Sequence, residues 1–179
     1  MSRIKNPFPV KYFSAILFTP DFWVDEVHSQ LIEILGSMDY TSPIFDFAYT
    51  NYYEEEMSAS LKKQFVSFER LRAPDEIASI KLKTNAIEEQ FMAGGRRRVN
   101  LDPGYIEEAK MILATTKNFS HRIYLKNGIY GDLQYRFRGG AYTFLEWTYP
   151  DYKDEIAVAF FREIRKIYGQ QLEKGPAKG

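Results

Sequence analysis

The chain has no cysteine and only two histidines, His28 and His121, in 179 residues. The first absence excludes disulfides, thiol nucleophiles and thiolate metal sites. The second excludes a three-histidine zinc centre. Net charge is missing too, since 24 Lys and Arg balance 24 Asp and Glu. No overall field draws in nucleic acid or an acidic membrane, so electrostatic recognition has to come from a local patch. No apolar run approaches the roughly 20 residues needed to span a bilayer. The run from Val10 to Phe18 is broken by Lys11 and Ser14 and leads into Thr19-Pro20-Asp21. It lacks a small-residue cleavage site and reads as a buried strand, not a leader. A cytoplasmic protein without membrane contact is the expectation.

What the chain has in abundance is rings: 13 Tyr and 14 Phe, within 45% hydrophobic residues. That content is far from the composition of disordered chains and suits one ring-rich core. No repeat or low-complexity linker divides the sequence, so residues 1–170 read as a single α+β domain and 171–179 as a flexible tail.

Periodicity orders the elements. Val10 to Phe18 is apolar on both alternating sets, as a strand covered on both faces requires. A helix follows, with Thr19 as N-cap, Pro20 at its first position, Val24, Val27, Leu31 and Ile34 on one face, and Gly36 at its end. Strands are expected at 44–49 and 65–71, then a helix from Pro74 carrying Ile77, Ile80, Ile87 and Phe91. Gly94-Gly95 releases the chain into a strand at 96–102. The order is a βαββαβ, ferredoxin-like unit in a mixed, largely antiparallel sheet. It is extended by a βα element with a helix at 103–115, a C-terminal β-meander turning at Asn127-Gly128 and Arg138-Gly139-Gly140, and a final helix at 152–168.

The segments TNYYEEEM, KKQFVSFERL, RRRVNLDPGYI, ATTKNFSHRIYL, NGIYGDLQYRF and EWTYPDY span most of the chain. Together they resemble an uncharacterised prokaryotic family, domain of unknown function 4416, some of whose members carry the label "GTP-binding protein". The resemblance thus implies a nucleotide as one candidate ligand. A P-loop needs G-x-x-x-x-G-K-[ST] to cradle phosphates, and that pattern is absent. So are the N-K-x-D guanine-reading motif and G-x-G-x-x-G. GTP binding here would use other machinery.

The densest polar stretch runs from Arg96 to Leu125. Alternation along 96–102 places Arg96, Arg98, Asn100 and Asp102 on one face, opposite Arg97, Val99 and Leu101. Asp102-Pro103-Gly104 reads as a helix start in which Asp102 caps the helix, with metal binding as its alternative role. A helix at 103–115 would be roughly 20 Å long and return the chain across the sheet. A strand at 121–126, parallel to 96–102, would then bring Lys117, His121 and Arg122 beside Arg96 and Arg98. Thr115 and Thr116 add hydroxyls to this anion cluster, and His121 is its candidate acid or base. The structural alternative is that Lys117 and His121 complement a helix C-terminus.

Three other features carry chemistry. Glu54, Glu55 and Asp102 are the oxygen donors for Mg²⁺, the candidate cofactor, while a solvated loop is the plainer reading of Glu54-Glu55-Glu56. Phe65-Val66-Ser67-Phe68 sits where RNA-recognition domains carry stacking aromatics, but Lys63 and Lys62 occupy the positions of the second aromatic and the glycine, which disfavours nucleic acid. Trp147 to Tyr152 suits either an aromatic wall for a planar ligand or a link packed on the sheet. The leading expectation is binding of a phosphorylated or otherwise anionic small molecule. The alternatives are a non-catalytic protein- or RNA-interaction module and a Mg²⁺-dependent phosphoester or phosphoryl-transfer enzyme.

Overall fold

The computed structural model describes residues 3–50, 53 and 56–175. Along these residues the chain forms β1 (Lys11–Phe18), α1 (Val24–Leu35), β2 (Met38–Thr41), β3 (Phe45–Phe47), β4 (Leu61–Phe68) and α2 (Ile77–Gln90). Then come β5 (Val99–Ile106), β6 (Lys110–Thr115), β7 (Arg122–Lys126), β8 (Ile129–Arg138), β9 (Ala141–Phe144) and α3 (Glu155–Lys174). The strands make one sheet in the order β2-β4-β1-β5-β6-β8-β7, with β3 also on β4 and β9 also on β8. Every pairing is antiparallel. The fold is α+β, and the order β2-β4-β1-β5 with its two helices is compatible with a ferredoxin-like unit.

β1 is buried along its whole length because it has a core on each side. Tyr12, Ile16, Val66 and Leu101 face α1 and α2. Phe13, Phe65 and Tyr135 face α3, where they meet Phe160 and Phe161. Phe65 stands at the centre of this second core, with ring centroids 5.5 Å from both Phe160 and Phe161. Burying each such ring stabilises the fold by roughly 1.5–3 kcal/mol.

Several boundaries differ from the periodicity reading. Thr19 does not cap α1: Phe22 N–H donates to Thr19 O in a preceding turn, and the helix begins at Val24. It ends at Gly36, whose φ of +93° an L side chain rarely adopts. Pro74–Glu76 form a 3-10 turn ahead of α2. α3 passes through Gly169 to Lys174, so only the end of the expected tail, residues 176–179, falls outside the described residues.

The largest correction concerns 103–115, which is not a helix. β5 continues through Asp102-Pro103-Gly104 to Ile106, and the chain returns directly in β6. A Cβ on Gly104 would lie 2.6 Å from Ile112 O and 2.6 Å from Phe13 Cζ, so this glycine permits β1, β5 and β6 to close up. Pairing with β6 starts at Gly104, opposite Leu113, one residue beyond the proline that has no N–H to give. Without a crossover helix, 121–126 is not parallel to 96–102. β7 lies at the far end of the sheet, separated from β5 by β6 and β8. Among the described residues no helix is long and apolar enough to cross a membrane.

Candidate functional site

β5 and β6 are paired only from Gly104 to Ile106. Toward the start of β5 the two strands part, and α2 supplies the missing partners: Leu101 N–H donates to Glu88 Oε1 at 2.8 Å, and Lys81 Nζ donates to Leu101 O at 2.6 Å. The split in the sheet opens into a cavity of about 1010 Å³. Its floor includes Asn100 and Asp102 of β5, Leu113 and Thr115 of β6, and Lys63 of β4. Tyr149 and Tyr152, from the link into α3, form one wall, and Phe47, Tyr49 and Tyr53 another.

The polar floor is internally bonded. Asn100 donates from Nδ2 to Asp102 Oδ2 at 2.9 Å and accepts from Arg97 Nη1 at 2.8 Å. Lys81 reaches Asp102 Oδ1 at 3.4 Å and lies 3.7 Å from Glu88. Arg97 also pairs with Glu88 and Glu56. Burial works against the Arg97 charge, but the two carboxylates outweigh it and its pKa rises. Glu88 shows the opposite balance: burial dominates and raises its pKa despite Lys81.

Two further networks border the floor. Lys63 is paired with Asp151, both almost fully buried, and its ammonium lies 4.8 Å from the centre of the Tyr152 ring. Asp132 accepts from Arg122 Nε and from Gln134 Nε2, each at 2.8 Å. Arg122 also donates to Lys117 O at 3.0 Å and to the Tyr149 hydroxyl at 2.7 Å. Burial chiefly pushes the Tyr149 phenol up to about 12, against the pull of Arg122. Tyr152 is 2% exposed, and its hydroxyl has no hydrogen-bond partner among the described residues.

The expected site residues divide as follows. Asn100, Asp102, Thr115, Thr116, Lys117 and Arg122 all line the cavity. Arg96 and Arg98 do not. Arg96 is exposed at the Gly94-Gly95 turn, where it forms a bridge to Ala93. Arg98 turns to the opposite side, pairing with Asp21 at 2.9 Å over the Phe22 ring. Arg97 is the arginine of the triplet that reaches the cavity, because regular alternation begins only at Val99. His121 lies outside the lining, stacked on Trp147 at 4.7 Å with Nε2 3.6 Å from Asp132 Oδ1. Asp102 caps no helix. Glu54 and Glu55 lie outside the described residues. Among the described residues, no group of three or more His, Asp or Glu is gathered to hold a metal ion.

The buried partners Lys63, Lys81, Glu88, Asp132 and Asp151 are absent from the sequence-based site. Three of them leave a signal. Lys63 alternates with Leu61 and Phe65 on a buried strand face, and Lys81 and Glu88 share a helix face with Ile77 and Thr84. A charge in phase with apolar positions needs a buried partner. Asp132 is in phase with Tyr130 and Gln134 on its strand, and Asp151 lies in a short 3-10 turn with no periodicity to read, so neither gives such a sign.

No curated protein and no solved structure matches the chain. A family model does, over residues 8–168. The chain therefore belongs to the family described as "Domain of unknown function (DUF4416)".

Proposed function

We propose that the protein binds a phosphorylated or otherwise polar small molecule, of nucleotide size, in the cavity between β5 and β6. The observation that carries this reading is the cavity itself: about 1010 Å³, walled by aromatic rings and floored by polar groups fixed by one another. Small-molecule sites have that construction, apolar surface for area and a few oriented polar groups for specificity. Preordered polar groups also spare the ligand the cost of organising them.

Within the cavity, Thr115, Thr116, Lys117 and Arg122 are the groups suited to an anionic end. Two hydroxyls beside two cations offer donors to phosphoryl oxygens. Arg96, Arg98 and His121 have no part in this version of the site. A Mg²⁺-dependent reaction has less support, because among the described residues the cavity's carboxylates other than Glu89 are each paired with Lys or Arg. The interaction-module reading draws on a different place, the sheet edge at β7, where Ile123 and Tyr124 are exposed.

A thermal-shift screen of nucleosides, nucleotides and sugar phosphates, with and without Mg²⁺, tests the reading. A true ligand at about 100 times its Kd stabilises the fold by about 2.7 kcal/mol. Tyr149→Ala, which removes one wall, should abolish that shift while leaving the protein folded. If no compound in the screen moves the melting temperature, the small-molecule reading fails.

A further inference from the structure

The cavity's charges form a nearly balanced set. Among the described residues its lining has five cations, Lys63, Lys81, Arg97, Lys117 and Arg122, and six carboxylates, Glu56, Glu88, Glu89, Asp102, Asp132 and Asp151. On the floor the two kinds alternate through direct bonds, Glu88 to Arg97 to Asn100 to Asp102 to Lys81. A ligand atom at this floor meets donors and acceptors side by side. A phosphoryl group only accepts hydrogen bonds, and so would lie against Asp102 and Glu88 as well as the cations. An ammonium group only donates, and would face Lys81 and Arg97. A hydroxyl does both.

Resting on the cavity reading above, we infer that the floor at Asp102, Asn100 and Lys81 takes a neutral polyhydroxylated ring, a sugar or the ribose of a nucleoside. Asp102 is the acceptor of the set. Its side chain is 34% exposed, and its oxygens receive one bond each, from Lys81 at 3.4 Å and Asn100 at 2.9 Å. A carboxylate has about four lone-pair sites, so each oxygen can accept one more donor, which suits two adjacent hydroxyls. Asn100 uses one of its two amide hydrogens on Asp102 and retains the other for a hydroxyl oxygen. The Tyr149 hydroxyl accepts from Arg122 and keeps its own proton to donate.

The walls fit the same ligand. Carbon faces of a sugar ring are apolar and pack against aromatic rings, which Tyr149, Tyr53 and Phe47 supply around the floor. Tyr152 adds ring surface to that wall, while its hydroxyl is enclosed and has no partner among the described residues.

The test uses the full chain and defined probes: adenosine, free ribose and glucose as neutral polyols, inorganic phosphate and pyrophosphate as bare anions, and spermidine as a cation. Saturation-transfer NMR and calorimetry at low and high salt give the readout. At least one neutral polyol should bind with an affinity that salt leaves within about twofold, since no counterions are released. Asp102→Asn should weaken it about tenfold or more, the loss expected when one charge-assisted hydrogen bond goes. Tyr149→Phe, which keeps the ring and removes the donor, is the second variant should Asp102→Asn fail to fold, and it should weaken the same probe. Binding of phosphate or pyrophosphate alone, tightened by Asp102→Asn and lost in salt, would overturn the polyol assignment and leave the cavity reading intact. Binding of spermidine in place of the polyols would overturn it as well. If none of the probes binds and the nucleotide screen is also silent, the polyol assignment and the cavity reading both fall.

Discussion

At the scale of single residues, the most consequential choice is a lysine in the middle of an aromatic core. Lys63 and Asp151 are 5% and 4% exposed, and their ion pair is enclosed by Phe47, Phe65 and Tyr152. Removing two charges from water is costly, and their attraction recovers that cost only while both are present. Lys63→Met should therefore destabilise the protein by about 3–5 kcal/mol, because it strands the Asp151 carboxylate. The double variant Lys63→Met with Asp151→Leu should recover most of that loss, since a well-packed apolar pair replaces a buried ionic one at little net cost. Urea unfolding of the two single variants and the double variant measures the coupling directly. If Lys63→Met alone costs less than about 1 kcal/mol, typical of an exposed pair, the two charges are not buried together as described. Lys63, Asp151 and Tyr152 all line the cavity, so the pair belongs to the proposed site.

At the scale of elements, β5 shows which signals a sequence carries and which it conceals. Asp102-Pro103-Gly104 has the residue types of a helix N-terminus, and local preference favours that reading. Tertiary contact decides otherwise: Gly104 is required where Phe13 and β6 crowd the backbone, and Pro103 is tolerated because β6 pairing begins after it. The cost of that arrangement appears on the other side of the split, where Leu101 has no strand partner on β6 and is served by Lys81 and Glu88. Glu88→Ala should accordingly speed amide exchange at Leu101 while leaving β1 and β4 protected, which hydrogen exchange resolves residue by residue. The same carboxylate sets a pH dependence. Burial raises Glu88 above its ordinary value of 4.5, so the folded chain holds this proton after the unfolded chain has released it. As pH rises from the ordinary glutamate range to the raised value, the unfolded state is increasingly favoured, and the slope ends once folded Glu88 ionises. Chemical denaturation across mildly acidic pH should show that decline, and Glu88→Gln should flatten it; an unchanged slope would place the titration on another group.

At the scale of the whole molecule, the parts legible in the sequence are those set by strong periodicity: β1 covered on both faces, α1 and α2, the Asn127-Gly128 hairpin and the final helix. The sequence pattern groups Thr115, Thr116, Lys117 and Arg122 through a crossover helix that does not exist, and they line the cavity through an antiparallel meander instead. What no local pattern encodes is which distant charges meet. Lys63 finds Asp151, 88 residues away, only after the sheet is assembled, whereas Arg122 meets Asp132 across the local β7–β8 hairpin. The closure of the sheet by α3 has the same character, and it makes the last turns of that helix structural. Tyr168 donates to Pro9 O at 2.9 Å, Gln171 donates to Glu69 O at 2.6 Å, and buried Lys11 donates to Gln171 Oε1 at 3.3 Å. These bonds tie α3 to the start of β1 and the end of β4, the opposite end of the sheet from the cavity. A chain ending at Gly169 keeps the Tyr168 bond but loses both bonds of Gln171, including one made by the ammonium of Lys11, whose pKa burial already lowers. Each is worth about 0.5–1.5 kcal/mol, more for the charged donor. The truncated protein should therefore be about 1–3 kcal/mol less stable by urea unfolding. Because the lost contacts lie away from the cavity, ligand-induced stabilisation should persist at its full size; a truncation that leaves stability untouched would show that α3 is held by its aromatic face alone.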